Sequence, residues 1–158
     1  MSGGAAERLQ IHASCVALAG EGILLRGPAG AGKSDLALRL IDGGGTLVAD
    51  DLCEIRRHGQ SLIADLPAGV DACFRGRIEV RGLGFLVLPY AGPTRLLLVA
   101  DLRPSGLPLS DPERLLGGEV TYLGIALPLV VLDPFQASAA ALLRLLAKVG
   151  PGTIMRAP

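Results

Sequence analysis

Apolar positions recur in two rhythms along this chain, one suited to strands and one to helices. Residues 11–18 (IHASCVAL) and 23–26 (ILLR) are apolar runs around Ala19-Gly20-Glu21-Gly22, a pattern that predicts a β-hairpin with a short glycine turn. A glycine-rich loop follows at once. From Lys33 to Ile41 the apolar residues Leu36, Ala37, Leu40 and Ile41 share one helical face, and Gly43-Gly44-Gly45 ends it. The next strand is Thr46 to Ala49. A second hairpin is predicted from Cys53 to Arg57 and Ser61 to Asp65 around His58-Gly59-Gln60, before a Pro/Gly-containing stretch from Pro67 to Gly76. Strands resume near Ile78, at Phe85 to Leu88 and at Arg95 to Asp101. The runs Leu96 to Ala100 and Ile125 to Leu132, the latter broken by Pro128, are too short to span a bilayer and read as buried strands. Arg103 to Gly106 and Pro108 make a loop, and Asp111-Pro112-Glu113 opens a short helix to Leu116. Asp133 at the N-cap and Pro134 at the first helical position predict a last helix to Val149, stopped by Gly150-Pro151-Gly152.

Composition narrows the class. A chain of 158 residues is long enough for one core and too short for two ordinary domains. The expectation is therefore a single domain over 1–158, with its core over 11–149 and a loose tail over 150–158. With three Phe, two Tyr and no Trp, the core must come from Leu, Val, Ile and Ala, and no stacking platform for single-stranded nucleic acid is evident. Fifteen basic residues balance fifteen acidic ones, which argues against a nucleic-acid or membrane-surface binder. Met1 to Gln10 carries no secretory signal pattern, so cytoplasm is the expected location. Cys15, Cys53 and Cys73 show no metal or disulfide spacing and read as reduced thiols, mostly in the core.

The strongest chemistry lies in Gly27-Pro28-Ala29-Gly30-Ala31-Gly32-Lys33-Ser34, a full G-x-x-x-x-G-K-S match between an apolar strand and an amphipathic helix. Its glycines let backbone N–H groups curl around a phosphate, and the helix that follows adds its positive end. Lys33 would neutralise β/γ oxygens while Ser34 offers its hydroxyl oxygen to Mg²⁺, so ATP and Mg²⁺ are the expected ligands.

Two acids end the next strand, in Thr46-Leu47-Val48-Ala49-Asp50-Asp51. In a parallel α/β sheet the carboxyl ends of strands line the ligand crevice, so an acid there sits beside the phosphates. Adjacent strand residues point to opposite faces, so one of the pair faces the site unless the strand bends. Either acid could accept a hydroxyl proton or help hold Mg²⁺. Glu79 and Arg81 flank Val80 before two glycines and, with strand periodicity, would share a face; alone they more often mark a surface ion pair before a turn. A histidine opening a strand, as His12 does, is more often a partly buried structural residue than a catalyst.

Together these pieces resemble the catalytic domain of HPr kinase/phosphorylase. The resemblance rests on an ordered set covering roughly residues 11 to 135: Ile11-His12, Gly27 to Ser34 followed by Asp35, Val48-Ala49-Asp50-Asp51, and Glu79-Val80-Arg81-Gly82-Leu83-Gly84. It implies a P-loop-containing mixed α/β sheet like that of phosphoenolpyruvate carboxykinase and the HPr kinase catalytic fold. It implies an ATP- and Mg²⁺-dependent serine kinase, with phosphorolysis as a second direction, whose substrate is an HPr-like phosphocarrier protein of the phosphotransferase system. It also implies that His12, Lys33 and Asp51 are catalytic, with Asp51 as proton acceptor, that Ser34 and Glu79 hold the magnesium, and that Asp50 supports the site or acts through a water. A homo-oligomer, hexameric in the family, is implied too. Longer members carry an N-terminal domain, so the chain resembles a short, catalytic-domain form. It departs from the family where a Pro-Gly-Arg-Asn type segment is replaced by Asp133-Pro134-Phe135-Gln136. Arg95, Arg103 and Arg114 are all candidates for a later catalytic arginine.

Two other classes fit parts of the pattern. A small-molecule P-loop kinase would need a cluster of lid arginines that is not evident here, and a non-catalytic ATP-sensing module would keep the loop without using the acids. A GTPase fits less well, because no N-K-x-D motif follows the loop.

Overall fold

The computed structural model describes residues 7–104 and 116–153. Within them the strands are β1 (Arg8–Ile11), β2 (Ala13–Leu18), β3 (Glu21–Arg26), β4 (Thr46–Ala49), β5 (Cys53–His58), β6 (Ser61–Asp65), β7 (Arg77–Val80), β8 (Gly84–Val87), β9 (Thr94–Leu102), β10 (Leu116–Tyr122) and β11 (Ile125–Leu132). The helices are α1 (Lys33–Asp42) and α2 (Ala139–Val149).

The first hairpin pairs β2 with β3 through a turn at Ala19 and Gly20, whose φ values of 52° and 79° give the twist that two-residue hairpins favour. The large sheet runs β1-β5-β6-β9-β3-β2-β4, and β11 joins along β9 with β10 beside it. The β3–β9 and β9–β11 pairs are parallel, whereas β2 is antiparallel to both β3 and β4. The expected parallel crevice is therefore reached by a different route. Flanking β2 from either side, β3 and β4 point the same way, so the carboxyl ends of β3, β4, β9 and β11 and the start of β2 all meet at one edge.

Alternation along the strands splits the core in two. Val16, Leu18, Ile23, Leu25, Leu98 and Leu102 face α1 and α2, where Leu36, Leu40, Leu143 and Leu146 are buried. Cys15, Ala17, Leu24 and Val99 face the other way and pack with Ile55, Leu62 and Leu127. Full burial of a leucine such as Leu36 contributes about 1.5–3 kcal/mol, so this face, more than local propensity, holds α1 against the sheet.

Three expectations change. The last helix begins at Ala139 with Ser138 at its N-cap; Asp133 instead accepts the Phe135 N–H at 2.9 Å on its carboxylate, closing a turn. Arg81 lies in the turn between β7 and β8 and does not share a strand face with Glu79. Strand β10 was not expected, and it begins at Leu116, where the short helix was expected to end. The short helix proposed from Asp111, Arg114 as a catalytic arginine and most of the tail lie outside the described residues. Among those residues no helix is long and apolar enough to cross a membrane.

Candidate active site

The glycine-rich segment leaves the end of β3 and opens α1. Gly30 and Gly32 hold φ values of +81° and +98°, a region that side chains disfavour, and Ala31 N–H donates to Pro28 O at 3.0 Å to close the loop. Gly32 is the N-cap of α1 and supplies no side-chain capping bond. The N–H groups of the first turn thus keep their capacity for an anion. Lys33 is only 7% exposed, and its ammonium donates to Gly27 O at 2.8 Å and Pro28 O at 3.1 Å. With two of its three protons on loop carbonyls, it stands across the loop with one donor to spare.

Asp50 is the hub beside this loop. Its Oδ1 accepts from the hydroxyls of Ser34 and Ser14, each at 3.0 Å, and its Oδ2 accepts the Glu79 N–H at 3.3 Å. One carboxylate thereby ties α1, β2, the end of β4 and β7 together. Ser14 is fully buried and also accepts the Asp51 N–H at 3.0 Å. Its only signal in the sequence is that it is the one hydroxyl inside the apolar run IHASCVAL.

The strand does bend between the acids. Asp51 has φ 63°, and Leu52 N–H donates to Asp50 O at 2.8 Å, the bonding of a γ-turn centred on a positive-φ residue. Such a turn costs on the order of 1–3 kcal/mol and persists only where its surroundings hold it, here through the Ser14 hydroxyl. It leaves Asp50 bonded beside Ser34 and Asp51 exposed.

His12 is exposed in the corner between β1 and β2, contrary to the partly buried role expected of such a histidine. The Ala13↔Arg26 register puts it at the edge where the glycine loop begins. Glu79 is also exposed; its backbone reaches Asp50, as described. Of the candidate arginines, Arg95 pairs with Glu21 at 3.3 Å near the opposite end of β3, about five strand residues or roughly 16 Å from the glycine loop. That placement removes it from the site. Arg103 lies at the correct edge, 3.5 Å from Asp101, which also holds Arg26 at 3.5 Å. Among the described residues no group of three or more His, Cys, Asp or Glu could enclose a metal. The set on offer is a hydroxyl and separate carboxylates, hard oxygen donors that fit Mg²⁺ sharing its shell with phosphates and water.

The Asp133–Gln136 turn closes the edge from the far side. Arg39 donates to the carbonyls of Pro134 and Gln136 and pairs with Asp35 at 3.1 Å. Phe135 lies against Gly32: a Cβ there would stand 3.1 Å from the ring's Cζ. Nothing in the sequence announced that contact.

These features define a mixed α/β domain whose glycine loop, acid pair and strand ends converge on one edge of a curled sheet. The HPr Serine kinase C-terminal domain family is matched over residues 4–90, and the chain belongs to that family. The HPr kinase/phosphorylase of Chlorobium limicola is 48% identical over 75 residues, covering 48% of this chain and 22% of the relative. That of Azoarcus sp. is 36% identical over 136 residues, covering 80% of this chain and 42% of the relative. The chain thus spans less than half the length of these curated relatives. The solved Hpr(Ser) kinase/phosphatase of Coxiella burnetii superposes with a TM-score of 0.74 at 27% identity, over 89% of this chain and 94% of that one. The mixed α/β HPr kinase catalytic fold expected from the sequence agrees with that superposition.

Proposed function

We propose that this chain is an ATP- and Mg²⁺-dependent protein serine kinase acting on an HPr-like phosphocarrier. The observation that carries the reading is the Asp50 hub, which sets a hydroxyl and a carboxylate beside a glycine loop while leaving a second carboxylate, Asp51, free. Family membership and the names of the relatives supply the substrate class.

In this reading Lys33 and the loop N–H groups hold the phosphates, and Ser34 and Glu79 hold the metal, with Asp50 orienting Ser34. Bound magnesium supplies charge neutralisation at the phosphate oxygens. Asp51 accepts the proton of the incoming seryl hydroxyl, and His12 stands at the same edge to assist. Most of the catalysis is positioning and electrostatics. We place the reaction in the cytoplasm, where thiols such as Cys15 and Cys53 stay reduced.

The test is to incubate the protein with Mg-ATP and an HPr-like protein and follow the carrier by intact mass. One phosphate on a serine is expected, and Lys33→Ala should lower the rate by on the order of 10² or more. Transfer to small metabolites with none to the carrier would overturn the reading in favour of a metabolite kinase. Nucleotide binding with no transfer at all would favour a sensor.

A further inference from the structure

We infer that Phe135 is the platform on which the nucleobase of the bound nucleotide stacks, an inference that rests on the nucleotide site proposed above. The argument begins with direction. Asp50, Ser34 and Glu79 gather on the side of the glycine loop toward β4, which fixes the metal and terminal-phosphate end of the site. A nucleotide lying across the carboxyl ends of the strands must then carry its nucleoside the other way, past β3 toward β9 and β11. The turn that ends β11 stands there, because the parallel register Leu25↔Ala100 and Ala100↔Val130 carries all three strands to the same edge.

That turn presents an aromatic ring in a fixed position. Pro134 is buried while Phe135 is 57% exposed; Phe74 and Phe85 are exposed too, but each has the Arg77 guanidinium over its ring. The Phe135 backbone is held by the Asp133 carboxylate at 2.9 Å, and the carbonyls on either side of it are held by Arg39. Two ring atoms lie 3.1 and 3.3 Å from a Cβ built on Gly32, so the absence of a side chain there is what admits the ring to the loop. An exposed ring fixed at the rim of a phosphate loop has the shape and chemistry to take the face of a heterocycle. Stacking of this kind tolerates any base, so the platform by itself gives affinity without choosing between purines.

The experiment separates base from phosphate. Calorimetric titrations with Mg-ATP and with magnesium tripolyphosphate would be run on the unmutated protein, Phe135→Ala and Phe135→Trp. Loss of the ring should weaken ATP binding about 5- to 150-fold and leave tripolyphosphate binding unchanged. Phe135→Trp introduces the sole indole of the chain; it should keep ATP affinity and have its fluorescence quenched by ATP but not by tripolyphosphate. Unchanged ATP affinity in Phe135→Ala, or equal losses for both ligands, would overturn the platform while the phosphate site stands. An unmutated protein that binds neither ligand would overturn the nucleotide site itself, and the platform with it.

Discussion

The Ser34 hydroxyl donates to Asp50 Oδ1 at 3.0 Å, linking the first turn of α1 to the end of β4. In the function proposed above, this bond lets Asp50 orient the Ser34 hydroxyl. Asp51, carried outward by its positive φ, keeps an exposed carboxylate.

The two acids should therefore fail differently. Asp51→Asn keeps size but cannot take a proton, so transfer should fall by on the order of 10² or more with Mg-ATP affinity retained. Asp50→Asn should instead weaken Mg-ATP binding, because it disturbs Ser34 and Ser14 together. Paired single-turnover and titration measurements check this; a normal rate in Asp51→Asn with a dead Asp50→Asn would interchange the roles.

Glu79 makes a narrower prediction. Its backbone is fixed on Asp50 at 3.3 Å while its side chain is exposed, so Glu79→Gln should fold normally. If its carboxylate completes the magnesium shell, the Mg²⁺ concentration for half-maximal transfer should rise several-fold with little change at saturation. An unchanged magnesium titration would remove Glu79 from the metal site.

What could be read ahead of the structure was local. The glycine loop, α1 and the two hairpins declare themselves through spacing that needs no distant partner. Strand β10, LGGEVTY, has two glycines and weak alternation, and it forms by pairing with β11. Asp133-Pro134 misled because that dipeptide suits a tight turn as well as a helix start, and Arg39 binding the carbonyls of Pro134 and Gln136 favours the turn. The acid pair was legible as chemistry. Its division of labour was not, because the γ-turn at Asp51 depends on Ser14, a hydroxyl from another strand.

The thiols offer a check on the fold itself. Cys15 and Cys53 are buried and Cys73 is exposed, all three unbridged. A hydrogen bond with Cys53, then burial, hold the Cys15 thiol well above its ordinary range. Native protein near neutral pH should thus react with a maleimide or disulfide reagent at Cys73 alone, and at all three after denaturation. Because the Cys15 value is raised in the fold, its contribution to stability is full below the ordinary thiol pKa and is lost as pH rises toward the native one. Rapid native labelling at Cys15 would contradict the packing described.

The Asp133–Gln136 turn also bears on the direction of catalysis. Phosphorolysis needs inorganic phosphate to attack the seryl phosphate, releasing pyrophosphate and restoring the serine, so the site must hold two anions at once. Where the family resemblance implies an arginine in this segment, the chain has Phe135 and Gln136, and neither can clamp a phosphate with charge. The nearby Arg39 is already engaged by two carbonyls and Asp35. An aromatic ring at the loop rim helps a nucleotide and does nothing for free phosphate. Loss of one charged contact to an anion costs about 1.5–3 kcal/mol, enough to slow that direction by about tenfold or more while the kinase direction is spared. Pyrophosphate release from seryl-phosphorylated HPr-like protein in excess phosphate, measured beside the forward rate, should lag by at least that factor. Equal rates in the unmutated protein would mean that another cation at this edge, with Arg103 the first to test, already serves the phosphate.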